Sequence, residues 1–104
     1  MTPRPLFIPL NGCYFDAFAA GTKRIEWRVY GPRWNRQVAY RGRPVTLSRG
    51  YSGARLAGTI VQTRRVPASR APEVARALFP QAKFFCAIHL ALNSDGIASS
   101  ARAD

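Results

Sequence analysis

The sequence is short of acid. Only five of its 104 residues are Asp or Glu, against sixteen Lys or Arg, and the formal net charge is +11. Lysine is scarce too: Lys23 and Lys83 stand beside fourteen arginines. Cysteine and histidine are limited to Cys13, Cys86 and His89. That is one ligand too few for a structural zinc site, and no C-x-x-C pair marks a zinc ribbon or a redox motif. Both cysteines read as buried free thiols that pack as small hydrophobes. No metal or other cofactor is expected. No apolar run approaches the ~20 residues of a membrane helix. The opening Met1-Thr-Pro-Arg-Pro lacks the basic-then-apolar layout of a secretory leader. The expectation is a cytoplasmic protein with no membrane contact.

What remains is enough for one domain. Hydrophobic residues make up 47% of the chain, so it is not expected to be disordered as a whole, and its length suits a single modest core. The excess of positive charge attracts polyanions and speeds their encounter. Arginine suits the task, since its planar fork binds phosphate bidentately and stacks on bases.

Along the chain, residues 5–10 read as an edge strand carrying two prolines. Asn11 is a good N-cap for a helix over about 12–20, in which Tyr14, Phe15 and Phe18 recur at helical spacing and Gly21 suits the C-terminal cap. Residues 24–30 alternate, with Ile25, Trp27 and Val29 expected toward the core and Glu26, Arg28 and Tyr30 toward solvent. By that parity Trp27 is core. Residues 43–49 and 55–65 are further strands, with Gly58 marking a bulge or a close backbone approach. A second short helix covers about 71–79, with Pro72 and Glu73 in its first turn and Val74, Leu78 and Phe79 along one side. Residues 83–92 form the last strand. The domain is placed at 1–92, and residues 93–104 read as a disordered C-terminal tail. Five to six strands with few intervening helices argue against a parallel α/β sheet. The expected fold is α+β, mostly β: a small mixed β-barrel with two short helices, closed so that no strand edge is exposed.

One motif sits where the first helix hands over to the second strand. Gly21-Thr22-Lys23-Arg24-Ile25-Glu26-Trp27-Arg28 reads G-x-K-x-x-E-x-R. This resembles the signature of ASCH domains, which are PUA-like β-barrels, and Gly42-Arg43-Pro44-Val45-Thr46-Leu47 looks like that family's next core strand. The run from Glu26 to Asn35 is similar to a short bacterial or phage branch of the family. The resemblance implies a cleft beside the motif strand and RNA as the ligand. Some relatives are amidohydrolases acting on N4-acetylcytidine, and nuclease activity is also reported in the family. In the amidohydrolases the stretch reads G-x-K-x-x-T-x-R, with the lysine as base and the threonine as nucleophile. Lys23 matches that lysine, but Glu26 stands in the threonine's place. A carboxylate does not replace that hydroxyl without a different mechanism.

The residues themselves leave three readings of Glu26 open. It is a plain ion pair with Arg28, worth ~0–1 kcal/mol if exposed; or it accepts from a base amino group, while Arg28 and Lys23 hold phosphate; or it is a general base, with Lys23 stabilising an oxyanion. Trp34, flanked by Arg33 and Asn35, either stacks on an unpaired base or plugs one end of the barrel. Arg49 and Tyr51 extend the basic rim, though Tyr51 would also serve as a cap on the core. Arg64, Arg65 and Arg70 read as a second basic cluster. His89 reads as a rim histidine. The expected function is binding of RNA or another single-stranded nucleic acid by Lys23, Glu26, Arg28, Arg33, Trp34, Asn35, Arg49 and Tyr51. The alternative is a small hydrolase of RNA or modified nucleosides that uses Lys23 and Glu26. A subunit that meets an acidic protein partner is the third class.

Overall fold

The computed structural model describes residues 3–93; all but the first residue of the expected tail lies outside them. The order is β1 (Leu6–Leu10), α1 (Gly12–Ala19), β2 (Ile25–Val29), β3 (Pro44–Arg49), β4 (Arg55–Pro67), a short 3-10 turn (Ala68–Arg70), α2 (Glu73–Leu78) and β5 (Phe84–Leu92). The strands form one sheet in the order β1-β3-β4-β5-β2. Strand β1 runs parallel to β3, and every other pairing is antiparallel. The domain is therefore α+β and mostly strand: a curled five-stranded half-barrel with two helices, compatible with a PUA-like fold.

The closed barrel expected from the sequence needs correction. Strands β1 and β2 are the two edges of the sheet and are not paired with each other. A side chain spans the gap instead: Arg28 Nη2 on β2 donates to the Pro9 carbonyl on β1 at 2.8 Å. Pro9 lies on an edge strand, where a missing N–H costs no ladder bond.

Helix α1 is held at both ends. The Asn11 side chain accepts from the Tyr14 amide at 2.9 Å. At the far end, Gly21 takes φ +80°. Its amide donates to Phe18 and the Thr22 amide donates to Ala17, which is the Schellman pairing that glycine permits. Phe15 and Phe18 drop from this helix into the main core beside Ile8, Leu47, Ile60, Cys86 and Ile88. A second, smaller cluster gathers Ala71 and Ala75 against Phe85, with Trp27 and Val29 packed on it.

These two clusters reverse the expected facing of β2. Glu26 pairs across with Ile88, and Arg28 with Cys86, both main-core residues. Trp27 and Val29 pair with Ala87 and Phe85 on the other face, beneath α2. Glu26 is only 6% exposed, while Trp27 is half-buried. Alternation distinguishes the two faces of a strand but does not say which is inward when both are covered.

The bulge lies elsewhere than Gly58. The β4–β5 register slips between Ile60 and Gln62, leaving Val61 outside the pairing. Gly58 is instead a close approach: a Cβ there would lie 2.7 Å from the Ala91 carbonyl oxygen. Cys86 is a buried free thiol, pushed up to about 11 by burial. Cys13 is free but exposed, contrary to expectation, because the first turn of α1 faces outward there. No helix among the described residues is long and apolar enough to cross a membrane.

Candidate functional site

The Schellman turn at Gly21 delivers Lys23 directly to the start of β2. Its ammonium donates to the Ile25 carbonyl at 2.7 Å and lies 3.9 Å from Glu26 Oε1. It also sits over the rings of Tyr14 and Phe18, at 5.3 and 5.4 Å from their centroids, within cation–π range. Burial holds the lysine below its ordinary range; the Arg28 charge adds to this and the Glu26 charge opposes it.

Two positions along the strand, Arg28 Nε donates to Glu26 Oε2 at 2.6 Å. The Arg28 guanidinium lies 4.6 Å from the Trp34 ring centroid while its Nη2 reaches Pro9. Lys23, Glu26, Arg28 and Trp34 therefore form one connected group. Arg28 serves as a brace for the sheet and as the partner of Glu26. Glu26 Oε1, beyond hydrogen-bond distance of Lys23, retains capacity to accept from a ligand.

Glu26 and Lys23 line a cleft that crosses β2 between the two helices. Tyr14 borders it on the α1 side, Trp27 on β2, and Val74, Ala75, Leu78 and Phe79 on the α2 side. The α2 wall was not expected to be part of the site. Its buried side is carried by Ala75, while Val74, Leu78 and Phe79 are 58%, 61% and 48% exposed. The signal was present in the sequence: Val74 and Leu78, with Phe79 directly after them, accompany a short helix whose buried position is Ala75.

The other predicted site residues lie further out. Arg33 is exposed. The Asn35 side chain is engaged within its own loop, donating to the Gly31 and Pro32 carbonyls and accepting from the Gln37 and Val38 amides. Trp34 is half-buried and packs on the main core, with Arg28 over its ring. Arg49 lies across Gly12 near the start of α1, paired with Asp16 at 3.2 Å, whose carboxyl this bond holds below its ordinary range. Tyr51 is 79% exposed on the β3–β4 turn and caps no core. Arg49 and Tyr51 are not among the residues lining the cleft.

The expected second arginine cluster is divided by strand alternation. Arg64 pairs across with Ala87 and Arg65 with Cys86, so they point to opposite faces. Arg65 stacks on Phe84 with 4.4 Å between guanidinium and ring centroid. Arg64 Nε lies 3.4 Å from His89 Nε2. Burial, aided by the Arg64 charge, holds His89 below its ordinary range. Among the described residues, no cluster of three or more His, Cys, Asp or Glu is placed to hold a metal.

Compared with family models, with curated proteins and with solved structures, the chain finds no match in any of the three.

Proposed function

We propose that this domain is a PUA-like module of the ASCH type that binds RNA, or another single-stranded nucleic acid, in the cleft between α1 and α2. The observation that carries this reading is Glu26: a buried carboxylate bracketed by two cations and lining an apolar, aromatic-bordered cleft, in a protein of net charge +11. The cleft is narrow, about 70 Å³, and suits the edge of an unstacked base that leans on Trp27, Tyr14 and the α2 side chains. Glu26 Oε1 suits an exocyclic amino group. Lys23 and the surplus of arginine suit the phosphates.

The test is anisotropy of a labelled single-stranded RNA titrated with protein at several salt concentrations. Affinity falls steeply with salt, by about 0.7 in log–log slope for each phosphate contact. The Glu26→Gln variant loses preference among bases, worth ~1–3 kcal/mol per lost pairing. A salt-independent affinity contradicts the reading without reference to any variant.

A hydrolase reading is favoured by one specific observation, the half-buried Lys23 held below its ordinary range 3.9 Å from a carboxylate. In this reading Glu26 takes a proton from water, and Lys23 steadies the developing oxyanion. Turnover of N4-acetylcytidine or cleavage of RNA by the wild-type protein, lost in Glu26→Gln with binding retained, would establish it. Equal traces for the two proteins would exclude it.

A further inference from the structure

A second, larger concavity opens on the other side of Lys23. Its volume is about 550 Å³, within the ~300–1,000 Å³ of small-molecule sites. The last turn of α1 borders it on one side, and Phe18, Leu90, Leu92 and Val61 give it an apolar lining. Val61 is the residue left outside the β4–β5 pairing, and it is 48% exposed although apolar. Bulges often re-aim a side chain beside a functional site. Arg24 and Lys23 complete the lining. Arg24 is exposed and forms no ion pair among the described residues.

Lys23 lines both this groove and the cleft, so the two are contiguous across a single side chain. An apolar bed and two cations, one of them the shared Lys23, match the repeating chemistry of one ligand class: a flat base followed by a phosphate. The carbonyls of Ala19 and Ala20, beyond the Schellman bonds, accept no backbone hydrogen bond among the described residues. They offer acceptors to the N–H edge of a base.

We infer that the groove is a second nucleotide subsite, taking the neighbouring base of a single-stranded RNA whose first base occupies the cleft, with the connecting phosphate at Lys23 and Arg24. This rests on the RNA-binding reading above and extends it from one nucleotide to a strand segment of defined path.

The experiment compares the nucleoside cytidine, which carries no phosphate, with oligocytidylates of three and six nucleotides, by calorimetry or competition, on the full chain. The trinucleotide should bind at least about tenfold more tightly than the nucleoside. Val61→Ser and Arg24→Ala, both at exposed positions, should remove most of that gain and leave nucleoside affinity unchanged. Arg24→Ala should also lower the salt slope of trinucleotide binding by about 0.7. Glu26→Gln should weaken every length alike. If Val61→Ser and Arg24→Ala leave the length dependence intact, the groove is not a subsite, whatever Glu26→Gln does. If Glu26→Gln is silent at every length, the cleft reading fails on its own. Lower thermal stability of Val61→Ser with unchanged affinities would mean that the chain itself fills the groove, and would overturn the inference.

Discussion

Arg28→Met isolates the device that spans the open side of the half-barrel. In the folded protein Arg28 bonds Glu26 at 2.6 Å and Pro9 at 2.8 Å, and lies on Trp34 at 4.6 Å. Methionine keeps much of the side chain's volume and removes both hydrogen bonds. The larger penalty falls on Glu26, which is 6% exposed and is left with Lys23 alone, 3.9 Å away. Breaking a buried pair costs 3–5 kcal/mol, because an uncompensated charge remains. The Arg28 side chain is 23% exposed, so the lower end applies, about 3 kcal/mol. This corresponds to a fall of about 1–3 M in the urea midpoint. Adding Glu26→Gln should restore much of the loss, because the buried charge is then gone. Urea unfolding followed by circular dichroism reads both effects. A loss under about 0.5 kcal/mol, or an equal loss in the Glu26→Gln background, would refute the reasoning, since coupled neighbours must be non-additive.

Other consequences follow from single contacts. Gly58→Ala should destabilise by ~1–3 kcal/mol in thermal melts, because its Cβ would meet the Ala91 carbonyl oxygen at 2.7 Å and the overpacking falls on backbone. Asn11→Ala should cost ~1 kcal/mol through the lost cap on α1, with Asn11→Ser close to wild type. A thiol reagent at neutral pH should modify exposed Cys13 promptly, and buried Cys86, whose thiol is pushed up to about 11, only on unfolding; mass spectrometry of the labelled protein distinguishes them. His89 is held below its ordinary value of 6.5, so the stability it contributes is complete above that value and is lost as pH falls through it toward the folded-state value. The Tm should therefore drop more between pH 7.5 and 5.5 in the wild type than in His89→Gln.

The elements with punctuated ends were the most legible in the sequence. Asn11 and Gly21 bracket α1 with side-chain chemistry that acts within a few residues, so local reading sufficed. The motif after Gly21 likewise placed Lys23, Glu26 and Arg28 together, because helix cap and strand spacing leave little freedom between them. The facing of β2 was not legible, since α2 arrives from more than forty residues downstream to cover Trp27 and Val29. The apolar α2 wall was missed for the same reason: whether Leu78 and Phe79 enter a core or border a cleft depends on which partner Ala75 finds. The bulge at Val61 carries no turn residue to betray it, and the nearby Gly58 answers to a different need. Burial of Cys86 followed from its strand, while Cys13 lies on the outward side of a helix turn that composition alone does not orient.

The most direct measurement is a titration of isotope-labelled protein with a short single-stranded RNA, followed by NMR chemical shifts. The account predicts that the Trp27 indole and the amides of Tyr14, Lys23, Glu26, Leu78 and Phe79 move together and saturate together, while the β3–β4 turn around Tyr51 stays still. Shifts confined to that turn, or to Arg64 and His89, with the Trp27 indole unmoved at saturation, would contradict it.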